Sequence, residues 1–230
     1  MRIEGRAQAL LDGKNFQAAK RDYDAALRLA EGGRVDAGSR ARLLSGRALV
    51  HEGLSEWEAA VEDYLKALDV AVKGGEVEDP YILNSLGNCY VSLGQYGRAR
   101  SQYVAASNGF QRAKGFRNRQ TGGTTQRLDG AIYAASNAAL MLAELGDEAG
   151  AIAEAEKVSR RAPNSVDMRA ALAALYYTNG RKAEAESVWE FACDNILEGC
   201  SKYRDDDWLA RVRRWPPLMR EKLAAFRALS

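Results

Sequence analysis

The sequence predicts an all-α protein built from stacked helix pairs, and three observations carry that prediction. Alanine and leucine are abundant while only 4 prolines interrupt 230 residues, a balance that favours helix over sheet. One stripe of large and small residues, spaced three, four and three, returns five times along the chain. A glycine stands before each return, where a tight turn would need φ > 0 (Gly13, Gly53, Gly94, Gly146, Gly180).

In chain order, the first stripe is Phe16, Ala19, Tyr23 and Ala26. The second is Trp57, Ala60, Tyr64 and Ala67, with Ser55-x-x-Glu58 reading as a capping box at its helix start. A Gly74-Gly75 stop then leads to Asp79 as cap and Pro80 as first helical residue of the next pair. The third stripe is Tyr96, Ala99, Tyr103 and Ala106. The fourth keeps Ala151, Ala155 and Val158, and the fifth Ala185, Trp189 and Ala192. Small residues let two antiparallel helices approach closely, and the aromatics fill the gap to the next pair. A single pair cannot bury its own apolar face, so stacking is compulsory.

Leu86-Gly87-x-x-Tyr90 and Leu172-Ala173-x-x-Tyr176, followed by these stripes and a closing Pro163, resemble the tetratricopeptide repeat. The resemblance covers about residues 1–197 and implies five helix pairs in a right-handed α-solenoid, with residues 198–230 as C-terminal capping helices. Steps of 41, 39 and 52 residues between Ala19, Ala60, Ala99 and Ala151 exceed the final step of 34 to Ala185. The longer units look like the extended repeats of kinesin light chain. The resemblance further implies a concave groove lined by the first helix of each pair. On that basis the candidates are Arg40, Arg47 and His51 in the second pair; Tyr81, Asn84, Asn88 and Ser92 in the third; and Tyr133, Ser136 and Asn137 in the fourth. Asparagine offers both a donor and an acceptor to a peptide backbone, which favours Asn84 and Asn88. A chaperone-type carboxylate clamp would need a lysine that the groove lacks.

Two segments stand outside the repeats. Residues 107–128 form an insertion whose basic patch is Arg112, Lys114, Arg117, Arg119 and Arg127, with no acid between Ser107 and Leu128. It reads either as a solvated helix extension or as an anion-binding loop. The tail carries Trp208, Arg213, Arg214 and Trp215. Trp208, Val212 and Trp215 are spaced for one helix face, and Leu218, Leu223, Phe226 and Leu229 for another. It reads as a cap over the end of the array or as a docking element. Arg213-Arg214-Trp215-Pro216-Pro217 is also similar to tails of plant, algal and cyanobacterial chloroplast repeat proteins.

Functional chemistry is sparse. The single histidine, His51, excludes a His-paired metal site, and Glu52 beside it faces another direction. Asp205-Asp206-Asp207 reads as a helix start rather than a calcium loop. Cys89 reads as core. On a continuous helix Cys193 and Cys200 would be ~10 Å apart, so reduced thiols are expected unless Gly199 breaks the helix. A net charge of +2 does not select nucleic acid. No apolar run reaches the ~18–20 residues of a bilayer span, and the start lacks a secretory core, so a soluble or peripheral intracellular protein is expected. The expected function is a non-catalytic, cofactor-free adaptor or scaffold that holds a protein or peptide partner, such as a subunit of a photosynthetic complex in the chloroplast. An RNA-associated factor acting through 107–128 and the tail is the alternative.

Overall fold

A computed structural model describes residues 2–33, 35–112, 125–196 and 200–228. Among them every regular element is helical. The chain divides into two compact units, Met1–Gln95 and Tyr96–Ser230.

The first unit holds α1 (Arg2–Asp12), α2 (Phe16–Gly32), α3 (Ala37–Gly53), α4 (Trp57–Lys73) and α5 (Pro80–Ser92). Consecutive helices pack on one another, and the predicted stripes lie inside: Ala19, Tyr23, Ala60, Tyr64 and Ala67 are all buried. The wedge between pairs is visible at one register. Tyr23 of α2 lies over Gly46 of α3, where an added Cβ would meet the ring at 2.5 Å. Tyr64 of α4 is hydrogen-bonded to Ser85 of α5. Gly46 and Ser85 each stand fourteen residues before the alanine of their sequence repeat, Ala60 or Ala99. The small residue is therefore a requirement of stacking. Gly46→Ala is expected to destabilise by ~1–3 kcal/mol through overpacking. Gly5→Ala, on α1 with nothing within 4 Å of its would-be Cβ, should stabilise by up to ~1 kcal/mol through helix propensity alone. Urea denaturation of the two variants checks the opposite signs.

The second unit holds α6 (Tyr96–Arg112), α7 (Thr125–Glu144), α8 (Glu148–Arg161), α9 (Val166–Thr178) and α10 (Lys182–Asp194). A 3₁₀ turn (Lys202–Arg204), α11 (Asp206–Arg211) and α12 (Pro217–Arg227) follow. Its stripes are likewise buried, from Ala99, Tyr103 and Ala106 through Ala151, Ala155 and Val158 to Ala185, Trp189 and Ala192.

The helix ends bear out some local expectations and correct others. Asp79 caps α5 by accepting the Tyr81 backbone N–H at 2.8 Å, with Pro80 in the first turn. Asp205 caps α11 through the Trp208 N–H, as the acidic run implied. Gly94, Gly146 and Gly180 do carry positive φ, but in the first two turns Lys14 and Ser55 take the left-handed conformation instead of Gly13 and Gly53. Gly53 serves a different purpose there, because the Phe16 ring occupies the space of its missing Cβ. Ser55 forms no capping box: α4 starts at Trp57, and its N-cap is Glu56 without a side-chain bond.

The tail departs further from expectation. Trp208 is on α11, but that helix ends at Arg211, so Trp215 lies beyond it and Val212 is exposed. The apolar stripe of α12 is Met219, Leu223 and Phe226; Leu229 lies outside the described residues. Cys193 and Cys200 are joined as a disulfide with Cα atoms 4.8 Å apart, which corrects the expectation of free thiols. The reason is that α10 stops at Asp194, so the rise of a continuous helix does not separate them. Cys89 is buried and free of a disulfide, as expected of a core residue.

Candidate functional site

The first helix of each pair presents a face whose register can be counted back from the buried alanine of the second helix. Eighteen residues back stand Arg42, Tyr81, Tyr133 and Asp167. Fifteen back stand Glu4, Ser45, Asn84, Ser136 and Ala170, and eleven back Gln8, Leu49, Asn88, Leu140 and Ala174. These positions share one helix face because three- and four-residue steps add to whole turns.

In the first unit this face is open. Glu4 and Gln8 of α1 and Arg42, Ser45 and Leu49 of α3 line a cleft of about 510 Å³ floored by Gly46 and Tyr23. On α5, Tyr81 is 59% exposed. Asn84 is partly covered, and its Oδ1 is buried with no donor among the described residues. The Ser92 hydroxyl donates to the Asn88 carbonyl at 3.3 Å, so it is committed to its own helix.

Three of the sequence-derived candidates in α3 are displaced from this face. Arg40 is exposed and is not among the residues that line this cleft. Arg47 stands thirteen residues before Ala60 and points back into the stack. Its Nε and Nη2 donate to Asp63 at 2.6 and 2.7 Å, and its Nη1 donates to Asp24 at 2.8 Å. The Asp63 hydrogen bond leads the effects that raise the Arg47 pKa. His51 is buried rather than on the groove face, with Nδ1 at 2.5 Å from Glu56 Oε2. Hydrogen bonds from Lys20 and His51 hold the Glu56 carboxyl below its ordinary value. The physical cause of the slip is register: Arg42, Ser45 and Leu49 occupy the face that Arg40, Arg47 and His51 were assigned to. A signal for this lay in the sequence. Arg6…Asp22 recurs as Arg47…Asp63 at the same separation of 16, and the pair in α1 and α2 has the same bidentate geometry.

In the second unit most of this face is covered. Ser136 and Asn137 are buried, so they are not open to a peptide as expected, while Tyr133 stays exposed at 42%. The cover is the chain's own tail. Arg213, 6% exposed, donates through Nε (2.8 Å) and Nη2 to Asp167, and through Nη1 to Asn137 Oδ1 at 2.7 Å. Its guanidinium stands over the Tyr133 ring at 4.6 Å. Asp167 also accepts from Trp215 Nε1 at 2.9 Å and from the Tyr203 hydroxyl at 3.0 Å. Burial pushes the Tyr203 phenol up, and the Asp167 charge adds to that. Trp208 and Trp215 meet the Tyr203 ring edge-on, completing a small aromatic cluster.

Beyond it, α12 packs chiefly on α9 and α7, with Phe226 against Tyr177 and Trp189. Its N-cap is Pro216, which has no side-chain acceptor, and Glu144 of α7 supplies one by accepting the Met219 N–H at 3.2 Å. Burial raises the Glu144 pKa, opposed by that bond. Lys222 pairs with Glu148 and lowers its carboxyl pKa. The unread signal was α9 itself. Ala170 through Tyr176 is buried without a break, and a helix apolar all round needs cover all round.

Of the basic patch, Arg112 is exposed at the end of α6, with Nε at 3.4 Å from the Asn108 carbonyl. Lys114, Arg117 and Arg119 lie outside the described residues, as does the Arg127 side chain. Among the described residues no group of three His, Cys, Asp or Glu side chains is placed to hold a metal. No described helix is long and apolar enough to cross a membrane.

No protein-family model matches the sequence, and no curated protein does. Solved structures do resemble it. BtubC (BKLC) from P. vanneervenii is similar at TM-score 0.66 and 21% identity, over 82% of this chain and 76% of that one. YrrB, described as a TPR protein with an unusual peptide-binding site, gives TM-score 0.59 at 19% identity, over 81% and 80%. MamA gives TM-score 0.60 at 14% identity, over 80% and 90%. What the chain shares with these proteins is the fold, a tetratricopeptide-type stack of helix pairs.

Proposed function

We propose that the chain is a non-catalytic adaptor whose first unit binds an extended segment of a partner protein along α1, α3 and α5. The single observation that carries this is Asn84. Its Oδ1 is a buried acceptor that finds no donor among the described residues, on the same face as the exposed Tyr81 ring. A buried acceptor left without a donor costs ~1–3 kcal/mol, which a backbone N–H of a bound segment would recover. Tyr81 supplies an exposed aromatic anchor of the kind that dominates binding energy. The peptide-binding site named for YrrB, a neighbour in fold, supports the same class of function.

Within this reading the partner is a subunit of a larger complex, for which the protein acts as an assembly or stability factor. The likeness of Arg213-Arg214-Trp215-Pro216-Pro217 to chloroplast repeat proteins directs the search to thylakoid complexes. The test is quantitative affinity capture with the full chain, comparing wild type with Tyr81→Ala and Asn84→Ala. Each substitution is expected to weaken the captured partner at least about tenfold, with weak salt dependence. Capture that survives both substitutions but collapses steeply with salt and with polyanion competitor would move the function to the basic segment and to RNA.

A further inference from the structure

We propose that Asp167, Asn137 and Tyr133 form a second binding site, for an arginine carried on a peptide segment of a partner, and that Arg213–Trp215 occupies it until such a segment displaces them. This does not rest on the reading of the first unit, since every residue involved belongs to the second.

Closing the end of a helical stack needs only apolar cover, and Met219, Leu223 and Phe226 of α12 supply it. Burying a guanidinium adds nothing to that task. A fully enclosed ion pair is a weak source of stability and a strong source of selectivity, because any group other than an arginine leaves the carboxylate unmatched. The pocket has that selectivity built in: a bidentate carboxylate, an amide oxygen at 2.7 Å and an aromatic face at 4.6 Å surround one side chain. It also lies where a ligand would lie. Tyr133 and Asp167 stand at the same register as Arg42 and Tyr81, which face outward in the first unit. Small side chains at Ala170 and Ala174 let a chain come close to α9.

The occupant has the form of a bound peptide. Arg213 through Pro216 is neither helix nor strand; Arg214 holds a left-handed φ of 57°, and Pro216 is extended at ψ 156°. The amides of Arg213 and Trp215 donate to the Trp208 and Leu209 carbonyls, so the segment is held as a tight turn beyond α11 that ends on proline. The chemistry selected is therefore an arginine followed closely by an aromatic residue and proline.

A synthetic peptide spanning Ala210–Leu218 is the probe, titrated into full-length protein by calorimetry or fluorescence anisotropy. In wild type the tethered copy, at an effective concentration of ~mM, should exclude it. Full-length Arg213→Ala should bind the peptide at least about tenfold more tightly than wild type does. Adding Asp167→Asn to that chain, or using a peptide with Arg213→Ala, should abolish binding. A folded Arg213→Ala chain, judged by retained helical circular dichroism, that ignores the peptide overturns the proposal and leaves the tail a fixed cap. If Arg213→Ala does not fold, hydrogen exchange on wild type decides. The hydrogen-bonded amides of Arg213 and Trp215 should exchange faster than those of Ala170–Tyr176, and faster still with excess peptide; exchange at equal rates overturns the proposal.

Discussion

Asp167→Ala is expected to cost ~3–5 kcal/mol locally, the range for breaking one side of an enclosed ion pair. Four donor groups converge on this carboxylate: Arg213 Nε and Nη2, Trp215 Nε1 and the Tyr203 hydroxyl. Removing it leaves a guanidinium 6% exposed with only the Asn137 amide and the Tyr133 ring as company. The chain has a way to escape part of that cost, which is to release the tail. The loss should therefore appear first as accelerated hydrogen exchange and proteolysis across 203–217, ahead of α9. Asp167→Ala combined with Arg213→Met should recover much of the stability, because no charge is then stranded. Equilibrium urea melts of the two single variants and the double variant close the cycle.

Tyr64→Ala is the second large effect, expected at ~3–5 kcal/mol for removing a buried aromatic. The ring is 1% exposed, and its hydroxyl donates to Glu52 at 2.6 Å. Burial drives the phenol pKa upward, with the Glu52 carboxylate adding to the shift. Tyr64 also reaches Ser85 of the following pair, so its loss weakens the interface between neighbouring pairs as well as the interior of one. In a stacked array stability is close to a sum of unit and interface terms. Tyr64→Ala should therefore broaden the urea transition of the first unit as well as lower its midpoint. Tyr64→Phe, which keeps the wedge and loses only the hydroxyl, should cost ~1 kcal/mol.

The all-helical fold and the inward face of the second helix of each pair were legible from the stripes. Ala19, Ala60, Ala99, Ala151 and Ala185 are all buried at the places that period demands. A helix has one geometry, so a sequence periodic in three and four states its inward face without reference to anything distant. On α5 the outward side was legible, because Leu86-Gly87 fixed the inward register and left Tyr81 exposed. It was misjudged on α3, which has no such pair. There Arg47 and His51 resemble binding residues by type, yet Arg47 is held by Asp63 and Asp24, and His51 by Glu56 at the N-cap of α4.

By itself, then, the sequence determined the helices, their pairing and the faces they turn inward, because these depend on interactions a few residues apart. Only the tertiary structure decided which outward faces stay open. Arg213 lies 46 residues from Asp167 and 76 from Asn137, and no local period records such a meeting. The same holds for Cys193 and Cys200, whose approach depends on where α10 ends rather than on their spacing. Long-range contacts are set by how the loops close and what the chain must cover, and a tail that covers a helix face is read only once it is folded there.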